Sequence, residues 1–535
     1  MAGRAYGRPV TGATHGENNR LYFWRVFRSF AGRQKSAAVA FAAFIHNSPG
    51  RIEASGSFVS LSLMPQRIAE LLSRLEKRLD RSAIVSAEEA GPRYQEDPDG
   101  KDGAPPAIVL RPRTAGEVSD ILRLCNEVGQ RLVVQGGRTG LAGAARIQPG
   151  EAVLSLERMT AIEAPDREAA TIIAGAGAPL QMVQEAADAA GLLFGVDIGA
   201  RGTATVGGNV ATNAGGIRVL RYGMYRAQVL GLEAVLADGS ILTSLKGLPK
   251  DNSGYDLNQL FIGSEGTLGV VTRACLRLHP KPATEVNAFC AVASLDAAIA
   301  LLALLRQKLG PLLSAYEVNF APLYGAMVAG MDAPAPLPVG SPVYVLAEIQ
   351  GHEPDRDGER FAAVLMQAVE DGVIDDVVVS QSPREFRALW AVREDANRFL
   401  FSMKGLIGVD ISIPLARMGT FLQAAEAAIR AIDPSADIYV FGHLGDGNLH
   451  YQVGTVDPAA AYDIVYRGVA AAGGGVSAEH GIGLDKKQWL HLARSDAEIA
   501  AMRRLKAAFD PNNILNAGRV FDLAPVDVAR EGMPQ

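Results

Sequence analysis

Cysteine is scarce in these 535 residues: Cys125, Cys275 and Cys290 are the three, and no CxxC pair occurs. A disulfide scaffold is therefore excluded, and a reducing compartment fits. Long apolar runs are missing too. None approaches the ~18 residues a membrane-spanning helix needs. The net charge of -6 offers no general cationic surface for nucleic acid, so an anionic substrate must meet a local cation. The dinucleotide fingerprint GxGxxG is broken in "GAGAPL" by Leu180, and no GxxxxGK[ST] loop exists. HExxH is absent and the inverted HxxEH fails at Val476, which leaves a zinc peptidase little support. Histidine is also sparse: eight in all, with none between His46 and His279.

What remains is a globular composition, 48% hydrophobic and 21% charged, long enough for two or three domains. Residues 1–63 stand apart, with eight Lys/Arg against Glu17 and Glu53. They read as an extension that is disordered, a transit peptide, or upstream of the true start, with "MPQRIAELLSRLEKRL" from Met64 beginning the folded protein. From about residue 105 strands and helices alternate. "TAGEVSDILRLCNEVG" is a helix with Thr114 and Glu117 spaced as a capping box. "VLGLEAVLADGSILT" is a hairpin turning at Asp238-Gly239. After "HPKPATE" helices lengthen, and a second domain is expected over 282–500. The first would cover 64–281, and 501–535 would form a C-terminal segment.

Glycine is concentrated where the chain needs backbone freedom. "VVQGGRTGLAGAA" carries Gly136, Gly137, Gly140 and Gly143 directly after a strand. Successive N–H groups in such a loop form an anion nest. "GGNVATNAGG" (207–216) and "GSEGTLGVV" (263–271) are two further clusters. In "GHLGDGNLH", a two-residue turn at Asp446-Gly447 would place His443 directly opposite His450. The pair is either structural or part of a metal site, for which Glu479 in "SAEHGIG" offers a third ligand.

The three glycine clusters, in this order, resemble the FAD-binding domain of the vanillyl-alcohol-oxidase/PCMH flavoprotein superfamily. With "YDLNQLFIGSEGTLGVVT", "GHLGDGNLH", "SAEHGIG" and "FDPNNILNAGRV", the chain is similar to the branch holding D-lactate and D-2-hydroxyglutarate dehydrogenases and the glycolate oxidase FAD subunit, over residues 65–522. The resemblance implies an α+β fold: a two-part PCMH-type FAD domain, a ferredoxin-like substrate domain and a C-terminal helical segment returning to the flavin. It implies FAD held by Gly136, Gly137, Arg138, Thr139, Gly140, Leu141 and Gly143, with Gly207, Gly208, Asn209, Thr212 and Asn213 alongside. Gly263, Glu265, Gly266, Gly269 and Val270 line the cofactor, and Asn516 lies near the isoalloxazine. Covalent flavin in this superfamily often hangs on a histidine of the first loop. This chain has none there, so a non-covalent cofactor is expected.

The same resemblance assigns His443, His450 and Glu479 to a divalent metal, usually zinc. It makes His480 the base, a role suited to a group titrating near neutral pH. Arg393 becomes the carboxylate clamp, with Asn397 one helical turn on. In the hydroxyglutarate-type branch a Lys commonly lies two residues before the Asp of "D-x-S-x-P". Here that position is Gly408, Lys404 lies four residues earlier, and monocarboxylates stay open as substrates. The expected activity is oxidation of a D-2-hydroxy acid to the 2-oxo acid. The alternative is a non-catalytic or partner-dependent subunit of a glycolate-oxidase-like complex. The electron acceptor (quinone, electron-transfer flavoprotein or cytochrome) and a homodimeric state are left open. The expected location is cytoplasmic, or mitochondrial if the extension is a transit peptide.

Overall fold

The computed structural model describes residues 64–523 except 331–333 and 404–405, and leaves out the side chains of 64, 65, 395, 397, 398, 401 and 402. The extension 1–63, Lys404, the Asn397 side chain and residues 524–535 thus lie outside the described set.

Thr114 starts the helix Ala115–Val128 by accepting the Glu117 N–H at 3.1 Å. The expected box is only half formed, because the Glu117 carboxylate takes the N–H of Arg113, one residue early. The apolar side of this helix packs over a sheet of β1 (Ile84–Val85), β2 (Val109–Leu110), β3 (Leu132–Gln135) and β4 (Ala152–Ser155), ordered β1-β2-β4-β3. A second, antiparallel sheet follows: β5 (Thr171–Gly175), β7 (Val229–Val235), β8 (Ile241–Thr243) and β9 (Val270–Arg277), ordered β5-β9-β7-β8. The short strands β6 (Leu192–Leu193) and β10 (His279–Pro280) pair beside it. The β7–β8 turn falls at Asp238-Gly239, as expected, with Gly239 at φ 89°.

The third sheet is antiparallel throughout and holds β11 (Thr284–Val292), β12 (Leu313–Phe320), β13 (Val343–Gly351), β14 (Asp376–Val379), β15 (Leu406–Ser412), β16 (Asp437–Gly442) and β17 (Asn448–Gly454). Its order is β14-β11-β13-β12-β16-β17-β15. Alternation of side chains along each strand gives it two different faces. Cys290, Val318, Val345, Leu449 and Tyr451 face a layer built from helices Leu295–Leu309, Pro354–Glu370, Leu415–Ile432 and Pro458–Ala471. Phe289, Tyr344 and Phe441 face helices Ala321–Ala329 and Pro383–Ser402. By the same alternation Glu317, Asp410 and His450 fall on this second face. The helix Asp496–Phe509 stops before Pro511, and the chain returns to β3, where Asn516 N donates to Leu132 O at 2.9 Å.

Candidate active site

The first glycine loop follows β3 and lies against the second cluster. A Cβ at Gly136 would sit 2.4 Å from Thr205 Oγ1, and one at Gly137 2.0 Å from Thr203 O, so only glycine permits this approach. Arg138 turns at φ 54°, and nothing lies within 4 Å of where a Gly140 Cβ would be. Among the described residues no backbone oxygen takes the N–H groups of residues 138–141. Unpaired N–H groups in a turning, open loop are what a pyrophosphate requires. This stretch fits FAD.

The third cluster is tied to the first through Asn516, whose Oδ1 accepts from Val134 N at 2.8 Å and whose Nδ2 donates to Glu265 O at 2.6 Å. Asn213 ends the helix Val206–Thr212 at φ 50° and accepts Arg226 N at 2.9 Å; Thr212 Oγ1 bonds Gly208 O at 3.1 Å. Gly207 packs on Ala176, Gly269 on Phe261, and Val270 is buried in the core. Glu265, expected to line the cofactor, also binds a second segment of the chain. Its carboxylate accepts Ile482 N at 2.7 Å and Gly483 N at 2.8 Å.

The histidine hairpin differs in register from the sequence expectation. His450 is paired with Phe441, not with His443. A two-residue type I′ turn needs positive φ at both Asp446 and Gly447. Only Gly447 has it, at 83°, and the bend starts earlier, at Gly442 with φ 150°. The shift is two residues, which preserves facing. The imidazoles still meet, with ring centroids 5.4 Å apart and edge to face. His443, His450 and Glu479 bring one ligand atom each to within 4.8 Å of one another.

Two carboxylates that the sequence reading did not assign orient these rings. Glu317 on β12 accepts His443 Nδ1 at 2.6 Å, leaving Nε2 toward Glu479 Oε1 at 3.6 Å. Asp410 on β15 lies 3.5 Å from His450 Nδ1, and also accepts Asn448 Nδ2 at 2.7 Å and Glu479 N at 2.6 Å. Imidazole–carboxylate pairs of this kind fix ring orientation around a metal. Two imidazoles, each with a carboxylate behind it, and the Glu479 carboxylate fit a divalent ion with an open position. Burial disfavours a charged His443, but Glu317 outweighs it and raises its pKa to about 9. Burial alone dominates at His450, holding it at about 3. Burial, reinforced by Asp410, raises Glu479 to about 7.

Arg393 is buried on the helix Pro383–Ser402. The expected substrate clamp has a protein partner: its Nε donates to Glu317 Oε2 at 2.7 Å, and its guanidinium lies 4.7 Å from the Phe441 ring centroid. His480 has φ 62°, and burial holds its imidazole below the usual value. The turn carrying it rests on the first glycine loop, with Leu484 N donating to Ala142 O at 3.0 Å. Gly215, of the second cluster, faces Glu479 Oε1, which a Cβ there would approach to 3.6 Å. The first and second glycine clusters therefore neighbour the segment that carries Glu479 and His480.

The family description "FAD linked oxidases, C-terminal domain" matches residues 281–520, and "FAD binding domain" matches 106–244. The chain is 39% identical to a mitochondrial D-2-hydroxyglutarate dehydrogenase from Bos taurus, over 76% of each chain. It is also 39% identical to a D-2-hydroxyglutarate dehydrogenase from Xanthomonas citri pv. viticola, covering 79% of this chain and 91% of that one. Among solved structures, p-cresol methylhydroxylase superposes with a TM-score of 0.67 at 15% identity, over 85% of this chain and 97% of that one. A 4-ethylphenol oxidase from Gulosibacter chungangensis gives 0.66 at 19%, over 86% and 98%. These establish the α+β, PCMH-type FAD-binding fold. Among the described residues no helix is long and apolar enough to cross a membrane.

Proposed function

Because this chain belongs to the FAD-linked oxidases, we propose that it is an FAD- and divalent-metal-dependent dehydrogenase converting a D-2-hydroxy acid to the 2-oxo acid. The supporting observation is that His443, His450 and Glu479 converge beside the turn bearing His480, and that this turn is bonded to a flavin loop. FAD, when bound without a covalent link, supplies the two-electron acceptor for the hydrogen on C2. A divalent ion, zinc by its donor set, supplies Lewis-acid polarisation of the hydroxyl and carboxylate oxygens. The chain's own groups do the rest. Arg393 holds the C1 carboxylate, and His480 takes the hydroxyl proton. The division into 64–281, 282–500 and 501–535 belongs to the same reading, with the substrate between the second part and the flavin loops.

The relatives' names make D-2-hydroxyglutarate the first substrate to assay. A second reading, favouring monocarboxylates, rests on Gly408, where a distal carboxylate finds no cationic side chain. The decisive experiment measures metal content, flavin content and anaerobic single-turnover flavin reduction for His443→Ala, His450→Ala and His480→Ala. The two ligand variants should lose metal and turnover yet keep FAD. His480→Ala should keep both and slow reduction on the order of 10²–10⁴-fold. If metal-free protein reduces its flavin as fast as the intact enzyme, the histidine pair is structural and the mechanism fails. If the purified chain alone reduces no flavin with any 2-hydroxy acid, the partner-dependent subunit is the better description.

A further inference from the structure

His480 occupies the left-handed region at φ 62°, where a side chain other than glycine is strained. Such a conformation persists only where the surroundings over-determine it, and here they do so from two sides. On one side is Ser477. Its Oγ lies within hydrogen-bonding distance of the carbonyl oxygens of Glu479 and Gly481, the residues flanking His480, and shares its one proton between them. The same Oγ accepts from Lys486 Nζ at 2.9 Å. Lys486 is itself buried, an expensive place for an ammonium group unless it is held.

On the other side is Glu265. Its two carboxylate oxygens take the two N–H groups that follow the turn, Ile482 and Gly483. Glu265 belongs to the third glycine cluster and is fixed there by its own backbone: its N–H bonds Ala211 O at 2.8 Å, and its carbonyl accepts Asn516 Nδ2. The fit is close. A Cβ at Gly481 would lie 2.4 Å from Glu265 Oε1, and one at Gly483 1.9 Å from Ala142 O.

We propose that Glu265 and the Ser477–Lys486 pair are positioning residues that set His480 against the flavin loops. Glu265 holds the turn to the cofactor-binding backbone, and the hydroxyl–ammonium pair locks the left-handed residue within it. Neither acts on substrate. The inference rests on the reading of His480 as the base and goes beyond it by saying what fixes the base relative to the flavin.

The test uses the full-length, FAD- and zinc-loaded protein and whichever 2-hydroxy acid the unmodified enzyme oxidises fastest. FAD per chain, zinc per chain, substrate half-saturation and the rate of flavin reduction per bound flavin are measured for Glu265→Gln, Ser477→Ala, Ser477→Thr and His480→Ala. Ser477→Ala should keep FAD and zinc, hold half-saturation within about twofold, and reduce its flavin at least tenfold more slowly. Ser477→Thr, which keeps the hydroxyl, should recover most of that rate. Glu265→Gln should slow reduction per bound flavin to a similar degree, and if it fails to fold the serine pair decides alone. The inference is overturned, with the base assignment intact, if Ser477→Ala reduces at the unmodified rate or loses zinc in step with its rate. It is likewise overturned if Glu265→Gln loses FAD while its remaining flavin reduces normally. If His480→Ala reduces at the unmodified rate, the base assignment itself falls and takes the inference with it.

Discussion

Glu317 has no solvent exposure, and its two oxygens face different functional groups: His443 Nδ1 at one, Arg393 Nε at the other. Glu317→Gln keeps the shape but removes the charge that sets the His443 tautomer. Loss of such an orienting carboxylate costs roughly 10–100-fold in metal affinity. Zinc binding measured by chelator competition should weaken by that much, and unchanged binding would remove Glu317 from the site. Thermal unfolding should also move down, because breaking a buried ion pair costs about 3–5 kcal/mol. The candidate ligands were legible in the sequence, and this group was not. His443, His450 and Glu479 sit in glycine-rich motifs, where local chemistry is unusual enough to read. Glu317 sits in "SAYEVNF", 126 positions from His443, and its only local signal is an acid alternating with apolar residues in a buried strand. Its partners are set by strand order, which no local pattern encodes. Asp410 was legible only as a landmark of its motif, for the same reason.

At the scale of elements, β15 and β17 carry the site in rungs. Asp410 is paired with His450, and two residues along, on the same face, Gly408 is paired with Gln452. The rungs are about 7 Å apart, from ~3.4 Å per residue. A Cβ at Gly408 would lie 2.7 Å from Gln452 Oε1, so a neutral carboxamide covers the place where a cation would project. Gly408 and Gln452 themselves offer an anionic distal group no opposite charge. We expect kcat/KM for D-2-hydroxyglutarate to be no more than about tenfold above the best monocarboxylate in a steady-state panel, ten-fold being ~1.4 kcal/mol. A preference far beyond that would mean another cation serves the distal carboxylate, Lys404 being the first to replace. The hairpin itself was legible as a hairpin, and its register was not. Asp-Gly suggested the tightest turn, but the φ of Asp446 is not positive and the loop is longer. His443 and His450 still meet because side-chain facing repeats every two residues and the register slipped by two.

For the whole molecule, the question is what keeps the flavin in place. No histidine occurs between His46 and His279, so the first glycine loop has no imidazole to offer. The three cysteines are buried in cores: Cys125 inside the helix Ala115–Val128, Cys275 within β9 and Cys290 within β11. Burial pushes the Cys290 thiol up to about 12 and raises Cys125 and Cys275 as well. A thiol held protonated and out of solvent is a poor nucleophile. On the reading that the three glycine loops hold FAD, retention falls to their backbones: Asn516 ties β3, at the foot of the first loop, to the third, and Glu265 N bonds Ala211 O in the second. Such a site depends on the fold being intact, because its N–H groups converge only when β3, the helix Val206–Thr212 and the returning C-terminal segment are packed. Acid precipitation should then release all the FAD to the supernatant, read by its visible absorbance. Yellow colour remaining with washed protein would show a covalent bond, and mass spectrometry of a flavin-bearing peptide would identify the residue that forms it.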